Sequence, residues 1–487
     1  MKKDFLKTAS RSQTTLQQST SQNTSDLATI LKELFPECLF TNIKTNAGGF
    51  WKPCLLASAA LLWMICGEST IVIAFQSAFD ILLAVFPGLE KSQASYQGFT
   101  GQLAKYQTQL MQVIIPHLRD LTKSKLEKYW RIGKWIVIAA DGSRESLARN
   151  KDLQRNFAPS KKKRKKRSKR WCRKHVANKK KKQKQKQTKK DREKKAATPL
   201  IWLTLFWHVG TGLPWDWRFG ASDSSERDHA TDMAKTLPQD ALLTADAGFI
   251  GYDFWKSLFD AEVHFLVRVG GNVRLLTELG YAEEHKGTVY LWPDYIAKQS
   301  LPPLVLRLIK VTNNGKTIWL VTNTKANDLS DQEAGEVYRR RWGIEVFFRT
   351  FKQTFDKGKL KCTGSTNVAL ELEWSLIGLW AMCLYGKEEI GRRYEVSRLS
   401  PAKAIRAFAK TCREFRSDPK NETHCLRRLL GKALKDDYER KRPKTNKEYP
   451  RQSKRTPTGE PSVEKATKKQ RVFAKHAKNN DEKHLTA

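Results

Sequence analysis

The sequence predicts an α/β protein: a mixed sheet core with a mostly β insertion, flanked by helical N-terminal and C-terminal regions. Three observations predict it. Short apolar runs rich in β-formers alternate with helical patterns between Lys134 and Val269. Further β-like stretches, without helices between them, fill residues 272–325. Helical periodicity prevails on both sides, from about Leu27 to Trp130 and from Ser330 to about Lys435.

Residues 1–26 are rich in Ser, Thr and Gln and lack periodicity, which predicts a disordered tail. The region 27–130 reads as helical and is the expected N-terminal DNA-binding region. Its longest apolar run, Leu55 to Cys66, falls short of the ~20 residues that a membrane span needs. A buried helix is expected there. SYQGFTGQLAKYQTQLMQVI (95–114) reads as a Gly-containing turn followed by an amphipathic helix, either half of a DNA-contacting pair or part of an ordinary bundle.

KWIVIAAD (134–141) reads as a strand ending in an acid. PLIWLTLFWHVG (199–210), LPWDWRFG (213–220), ALLTAD (241–246) and EVHFLVRV (262–269) read as further strands, with helices over 226–236 and 251–259. TVYLW (288–292), LVLRLIKV (304–311) and TIWLVTNT (317–324) form the β insertion, with a hairpin around Asn313-Asn314-Gly315. A long helix begins at Ser330, a candidate N-cap with Glu333 three residues on. The catalytic domain is thus expected over 131–356 and a helical C-terminal region over 357–435. Residues 436–487 are polar and basic, and a disordered tail is expected there.

The chain carries 90 Lys+Arg against 50 Asp+Glu, a net charge of +40. An excess that large repels itself in a compact protein, and the usual partner that offsets it is a nucleic acid. Charge alone separates an enzyme neither from a ribosomal nor from a chromatin protein. Residues 161–195 hold 22 Lys+Arg and two acids. A solvated basic loop is expected there, for phosphate contact or as a localisation tract. The eight cysteines show no CxxC and no zinc spacing, which fits a reducing, cytoplasmic compartment. The N-terminus has no apolar stretch after its lysines, so no secretory signal is read.

Two carboxylates stand out. Asp141 precedes Gly142 at the end of one expected strand, and Asp246 lies two residues before Gly248 at the end of another. Acids at the tips of adjacent strands could share a pair of divalent cations of the kind that serve phosphoryl transfer. Either Asp alone more often marks a turn. On a helix through 337–355, Tyr338, Arg341, Glu345 and Lys352 fall within about 60° of one another, and Val337, Ile344, Phe348, Phe351 and Phe355 fill a neighbouring arc of about 60°. The apolar stripe would dock on the sheet. The polar stripe would then border the aspartates, with Glu345 completing a metal site and Arg341 and Lys352 holding phosphates. Taken alone, a mixed-charge solvent face is the more usual meaning of such a stripe. Ser225-Glu226-Arg227-Asp228-His229 reads equally as a helix cap or as a source of a ligand.

Tyr338-x2-Arg341-x3-Glu345-x6-Lys352 resembles the YREK signature of the insertion-sequence-four group of DDE transposases at all four positions. DGS (141–143) resembles that group's first-aspartate motif and ADAGF (245–249) its second, and the β-rich stretch before Glu345 is similar to its β insertion. The resemblance spans about residues 134–356. It implies an RNase H-like catalytic core and Mg²⁺ dependence, with Mn²⁺ able to substitute. Asp141, Asp246 and Glu345 would be the catalytic metal ligands, and Tyr338, Arg341 and Lys352 the contacts to phosphates of the cleaved DNA strand. It further implies a bacterial enzyme of the cytoplasm, nucleoid-associated and without membrane contact, that acts as a homodimer on double-stranded DNA. Such an enzyme cuts at inverted-repeat ends and joins them to a target. Trp319 and Trp292 are the candidates for stacking a flipped base. The basic segment 161–195 is a departure, since the group does not generally need it. Two other readings stay open: a catalytically inactive, domesticated DNA-binding protein, and a different two-metal DNA endonuclease.

Overall fold

A computed structural model describes residues 26–45, 49–86, 89, 94–158, 198–313, 316–418, 425–436 and 459–485. The expected tail 1–25 and the basic segment 161–195 lie outside the described residues.

Ten strands form one mixed sheet in the order β10-β6-β7-β8-β9-β5-β4-β1-β2-β3. They are β1 (Ile136–Ser146), β2 (Leu200–His208), β3 (Leu213–Gly220), β4 (Ala241–Ala245), β5 (His264–Val269), β6 (Arg274–Thr277), β7 (Thr288–Leu291), β8 (Leu304–Asn313), β9 (Lys316–Thr322) and β10 (Ser462–Lys465). β1, β2 and β3 pair antiparallel, while β4 and β5 run parallel to β1. The β insertion continues this same sheet: β9 pairs antiparallel with β5 and with β8.

Alternation in β1 divides the core. Val137 and Ala139 join the face covered by helices from both ends of the chain, and Ile136, Ile138 and Ala140 join the other. On the first face lie Pro53–Ile65, Tyr96–Lys125 and the central helix Ser365–Gly391. The run around Leu55 is therefore a buried helix, as its length predicts. Ser365–Gly391 is long and apolar enough to cross a membrane, yet it is mostly buried within this core. The other face holds Glu226–Ala234 and Tyr252–Asp260.

Several expectations change. Tyr96–Lys125 is one unbroken 30-residue helix, so Gly98 marks no turn between two helices. Ser95 caps it from Gly98 N at 3.0 Å, and the buried stripe Phe99, Leu103, Tyr106, Leu110 carries the chain through both glycines. β1 does not stop at Asp141; it pairs with β2 to Ser146, and only its parallel pairing with β4 ends at Ala140. Part of the stretch 436–487 is ordered: β10 adds to the sheet edge beside β6, and Lys468–Leu485 is a helix. Backbone hydrogen bonds make that edge, and the small residues Ala466, Ala474 and Ala477 are all that it buries, so hydropathy gave little sign of it.

His208 offers a pH probe of this core. Its ring is 1% exposed, stacked between Trp130 and Trp215. Nδ1 accepts from Thr211 N at 3.0 Å and Nε2 faces Trp130 O at 3.0 Å, which assigns the neutral Nε2–H tautomer. Burial lowers its pKa to about 4. The unfolded chain therefore takes up this proton near pH 6.5 while the native chain refuses it until about pH 4. Stability from this group is full above pH 6.5 and falls by about 3 kcal/mol as pH drops through that window. Urea unfolding of wild type and His208→Phe between pH 7 and pH 4.5 checks it; an equal loss in both would remove His208 as the cause.

Candidate active site

Ala140 and Ala245 are register partners on parallel β1 and β4, so Asp141 and Asp246 are the next residues of two adjacent strands. Such strands lie about 4.8 Å apart. Both aspartates have the parity of the face that carries the C-terminal helices. Asp141 Oδ1 accepts from Gly142 N at 2.8 Å. Asp246 starts the short turn Ala247–Phe249 and accepts from Gly248 N at 2.8 Å. Burial pushes the Asp141 carboxyl up to about 7, and the charges of Asp246 and Glu345 add to the rise.

Ser330 and Glu333 form the expected capping box, opening the helix Asp331–Arg340. The helix is distorted at Arg341-Trp342, resumes over Gly343–Arg349 and ends in a π-helical turn, Thr350–Thr354. Val337, Ile344, Phe348, Phe351 and Phe355 are all buried, as the apolar stripe predicts. Gly343 lets this helix lie flat on the sheet: a Cβ there would stand 2.1 Å from the indole of Trp207 on β2.

Docking in this way turns the polar stripe toward the aspartates. Arg341 Nη2 donates to Glu345 Oε1 at 2.9 Å, and Nη1 stands 4.0 Å from Asp141 Oδ2. The Arg341 side chain is 8% exposed, and its Nε and Nη1 have no hydrogen-bond partner. Its guanidinium lies 5.4 Å from the ring centre of Tyr338, which is buried, and burial raises the phenol's pKa. Lys352 turns away along β1: Nζ donates to Arg144 O at 2.8 Å and lies 3.5 Å from the fully buried Glu145. The π-helical turn lies at this position, so a uniform 3.6-residue period did not reach it.

The structure therefore brings together Asp141, Asp246, Tyr338, Arg341 and Glu345, with Lys352 one step along the strand. Among the described residues no three Asp, Glu, His or Cys side chains stand close enough around one point to hold a metal ion. Arg341 occupies the gap between Asp141 and Glu345. The donor chemistry nevertheless fits a hard divalent cation. Every candidate ligand is a carboxylate, and Asp141 is buried with a single guanidinium near it.

Three residues escaped or changed their sequence reading. Glu226, in the first turn of Glu226–Ala234, lies against Gly142 and near Gly248. Burial raises its pKa, and the Asp246 charge adds to the rise. Ser225 alone does the capping, accepting from Asp228 N at 3.3 Å. Trp342 is 61% exposed between Arg341 and Glu345, beside exposed Arg339 and Arg340. Its neighbour to Arg341 in the signature was the one available signal. Trp292 is buried, donating from Nε1 to Leu301 O at 2.9 Å, so it offers no face for a base. Trp319 is half-buried on β9 under Lys310.

Comparison with known proteins defines the class. A family model described as a transposase DDE domain matches residues 168–381. That stretch holds Asp246 and Glu345 and begins after Asp141. The chain thus carries a transposase DDE domain. It is 27% identical over 175 residues to the transposase InsG for insertion sequence element IS4 of Escherichia coli (strain K12), a match over 34% of this chain and 38% of that protein's length. The chain is a DDE transposase of the insertion-sequence-four type, as the YREK spacing indicated. Among solved structures, the piggyBac transposase synaptic complex with hairpin DNA aligns over 88% of this chain and 89% of that one, at 11% identity and a TM-score of 0.39.

Proposed function

We propose that this chain cuts and joins double-stranded DNA at the inverted-repeat ends of its own element. The reaction is Mg²⁺-dependent phosphoryl transfer, with Mn²⁺ able to substitute. β1 to β5 form the RNase H-like core, and β6 to β9 the insertion. Asp141, Asp246 and Glu345 are the ligands. The observation that carries this reading is the register of Asp141 and Asp246 on adjacent parallel strands, with Glu345 tied to Asp141 through Arg341.

Two cations bound there would activate the attacking hydroxyl and stabilise the leaving oxygen. Arg341 has a second task. Its unpartnered Nε and Nη1 are donors held in place for a phosphate of the cleaved strand, and its bond to Glu345 holds that carboxylate toward the sheet. Tyr338 packs beneath the guanidinium and fixes its direction. Lys352 contacts the phosphate next along the strand, and Trp342 offers a stacking face for a base beside the cut. The enzyme works as a homodimer on DNA, at the nucleoid in the bacterial cytoplasm.

The test is an incubation of the full chain with a DNA fragment carrying the element's own ends, in Mg²⁺ and separately in Ca²⁺. Strand cleavage and joining to a target in Mg²⁺ are expected; an intact fragment under Mg²⁺ would overturn the reading. The basic segment gives a further expectation. Each phosphate neutralised on duplex DNA contributes about −0.9 to the slope of log affinity against log salt. Deleting 161–195 should weaken binding and flatten that slope by several such steps. An unchanged slope in a filter-binding titration means that the segment touches no phosphates.

A further inference from the structure

We propose that Glu226 is a fourth carboxylate of the cation site, reaching Asp246 from the face of the sheet opposite to Glu345. This rests on the reading of Asp141 and Asp246 as cation ligands and adds a ligand that the YREK and aspartate motifs do not contain.

The helix Glu226–Ala234 packs on the face lined by Ile136, Ile138 and Ala140, through Ala230, Met233 and Ala234. Gly142 shares that face by alternation, and the Glu226 carboxyl fills the space that a side chain at 142 would take. A Cβ on Gly142 would lie 2.1 Å from Glu226 Oε1. The other oxygen, Oε2, stands 3.8 Å from the Cβ position of Gly248, whose amide is bonded to Asp246 Oδ1. The carboxylate is thus seated between the two glycines that follow the two aspartates. β4 ends at Ala245, so beyond it no β4 backbone separates the faces, and Glu226 and Asp246 approach each other around the strand end.

A carboxylate driven against another acid needs a reason. Its own helix gives one, since a first-turn acid is favoured by the N-terminal end of the dipole. The guanidiniums that act on Glu226 are engaged elsewhere: Arg144 stacks over Trp202 at 3.9 Å, and Arg227 donates to Ile250 O at 2.8 Å. A second observation marks the place as one built for a ligand. Arg341, 8% exposed, leaves two of its nitrogens unpartnered beside Asp141. A hard cation bound by Asp246 and Glu226 would draw the crowded acids together, and oxygen donors alone are what Mg²⁺ and Mn²⁺ prefer.

The experiment is Mn²⁺ binding to the full-length protein without DNA, by titration calorimetry. The forms compared are wild type, Glu226→Gln, Gly142→Ala, the double variant of these two, and Asp246→Asn. Glu226→Gln is expected to weaken Mn²⁺ binding on the order of tenfold. Gly142→Ala keeps all four acids and adds one methyl where the Glu226 carboxyl sits, so it should weaken binding too, and it reads the contact even if Glu226→Gln folds poorly. The double variant should bind no more weakly than Glu226→Gln, because the two changes remove one interaction. If Asp246→Asn weakens Mn²⁺ binding while Glu226→Gln and Gly142→Ala do not, Glu226 is no ligand and this proposal falls alone. If Asp246→Asn also binds Mn²⁺ unchanged, the cation site itself falls with it.

Discussion

Alanine at Asp141, Asp246 or Glu345 is expected to lower Mg²⁺-dependent strand cleavage by about 10³-fold or more, roughly 4 kcal/mol of barrier. Specific DNA binding should persist. Each change removes negative charge from a surface that meets phosphates, so binding has no electrostatic reason to suffer. The three differ in their structural consequences. Asp141 is a buried carboxyl held up at about 7 by its surroundings, so its loss relieves crowding. Glu345→Ala instead deprives buried Arg341 of its 2.9 Å acceptor and leaves a guanidinium uncompensated. Glu345→Gln is therefore the cleaner variant: it keeps an acceptor for Nη2 and loses the charge a cation needs. Cleavage in Mg²⁺ and a mobility-shift assay in Ca²⁺ read the two properties separately. Wild-type cleavage by any one of the three variants would remove that residue from the ligand set.

The second large effect lies behind the site. Glu371 is fully buried on the central helix. Its Oε2 accepts from Lys361 N and Cys362 N, each at 2.8 Å, and its Oε1 from Lys357 Nζ at 3.3 Å. These bonds fix the segment that follows the Glu345 helix. That segment in turn grips the end of β1: Ser146 N donates to Gly358 O and Leu360 N to Ser146 O, each at 3.1 Å. Glu371 therefore ties the helix of the third acid to the strand of the first. Burial pulls the Lys357 pKa down, so the ammonium depends on this partner. Glu371→Ala leaves a buried cation and two backbone amides without acceptors, and should cost about 3–5 kcal/mol. Replacing the pair together, with Lys357→Met and Glu371→Leu, should recover the part due to the charge but not the part due to the amides. Chemical denaturation of the three variants measures this. A loss under about 1 kcal/mol in Glu371→Ala would mean that the bonds do not hold the segment.

Much of the architecture was legible because local periodicity encodes which face a residue turns inward. The strand LPWDWRFG occupies β3 residue for residue, and Val337, Ile344, Phe348, Phe351 and Phe355 are buried as their spacing requires. Where the reading slipped, the local signal was weak or uneven. Gly98 and Gly101 suggested a turn, but a long apolar stripe outweighed two glycines in one helix. The π-helical turn shifted Lys352 away from its neighbours on the polar stripe. β10 pairs through its backbone, which leaves little trace in side-chain polarity.

The sequence by itself determined the kind of protein: Asp141, Asp246 and Glu345 in their motifs, the strands that carry two of them, and the helix face that carries the third. Tertiary structure alone decided what surrounds those acids. Arg341 standing between Asp141 and Glu345, Glu226 arriving through the space of two glycines, and Glu371 fastening the helix to β1 all join residues far apart along the chain. The reason is physical. A helix or strand declares its faces within a few residues, because its repeat is short. Which faces meet depends on the register of β1 against β4 and on how closely a helix can settle on the sheet, and those follow only when the whole core packs.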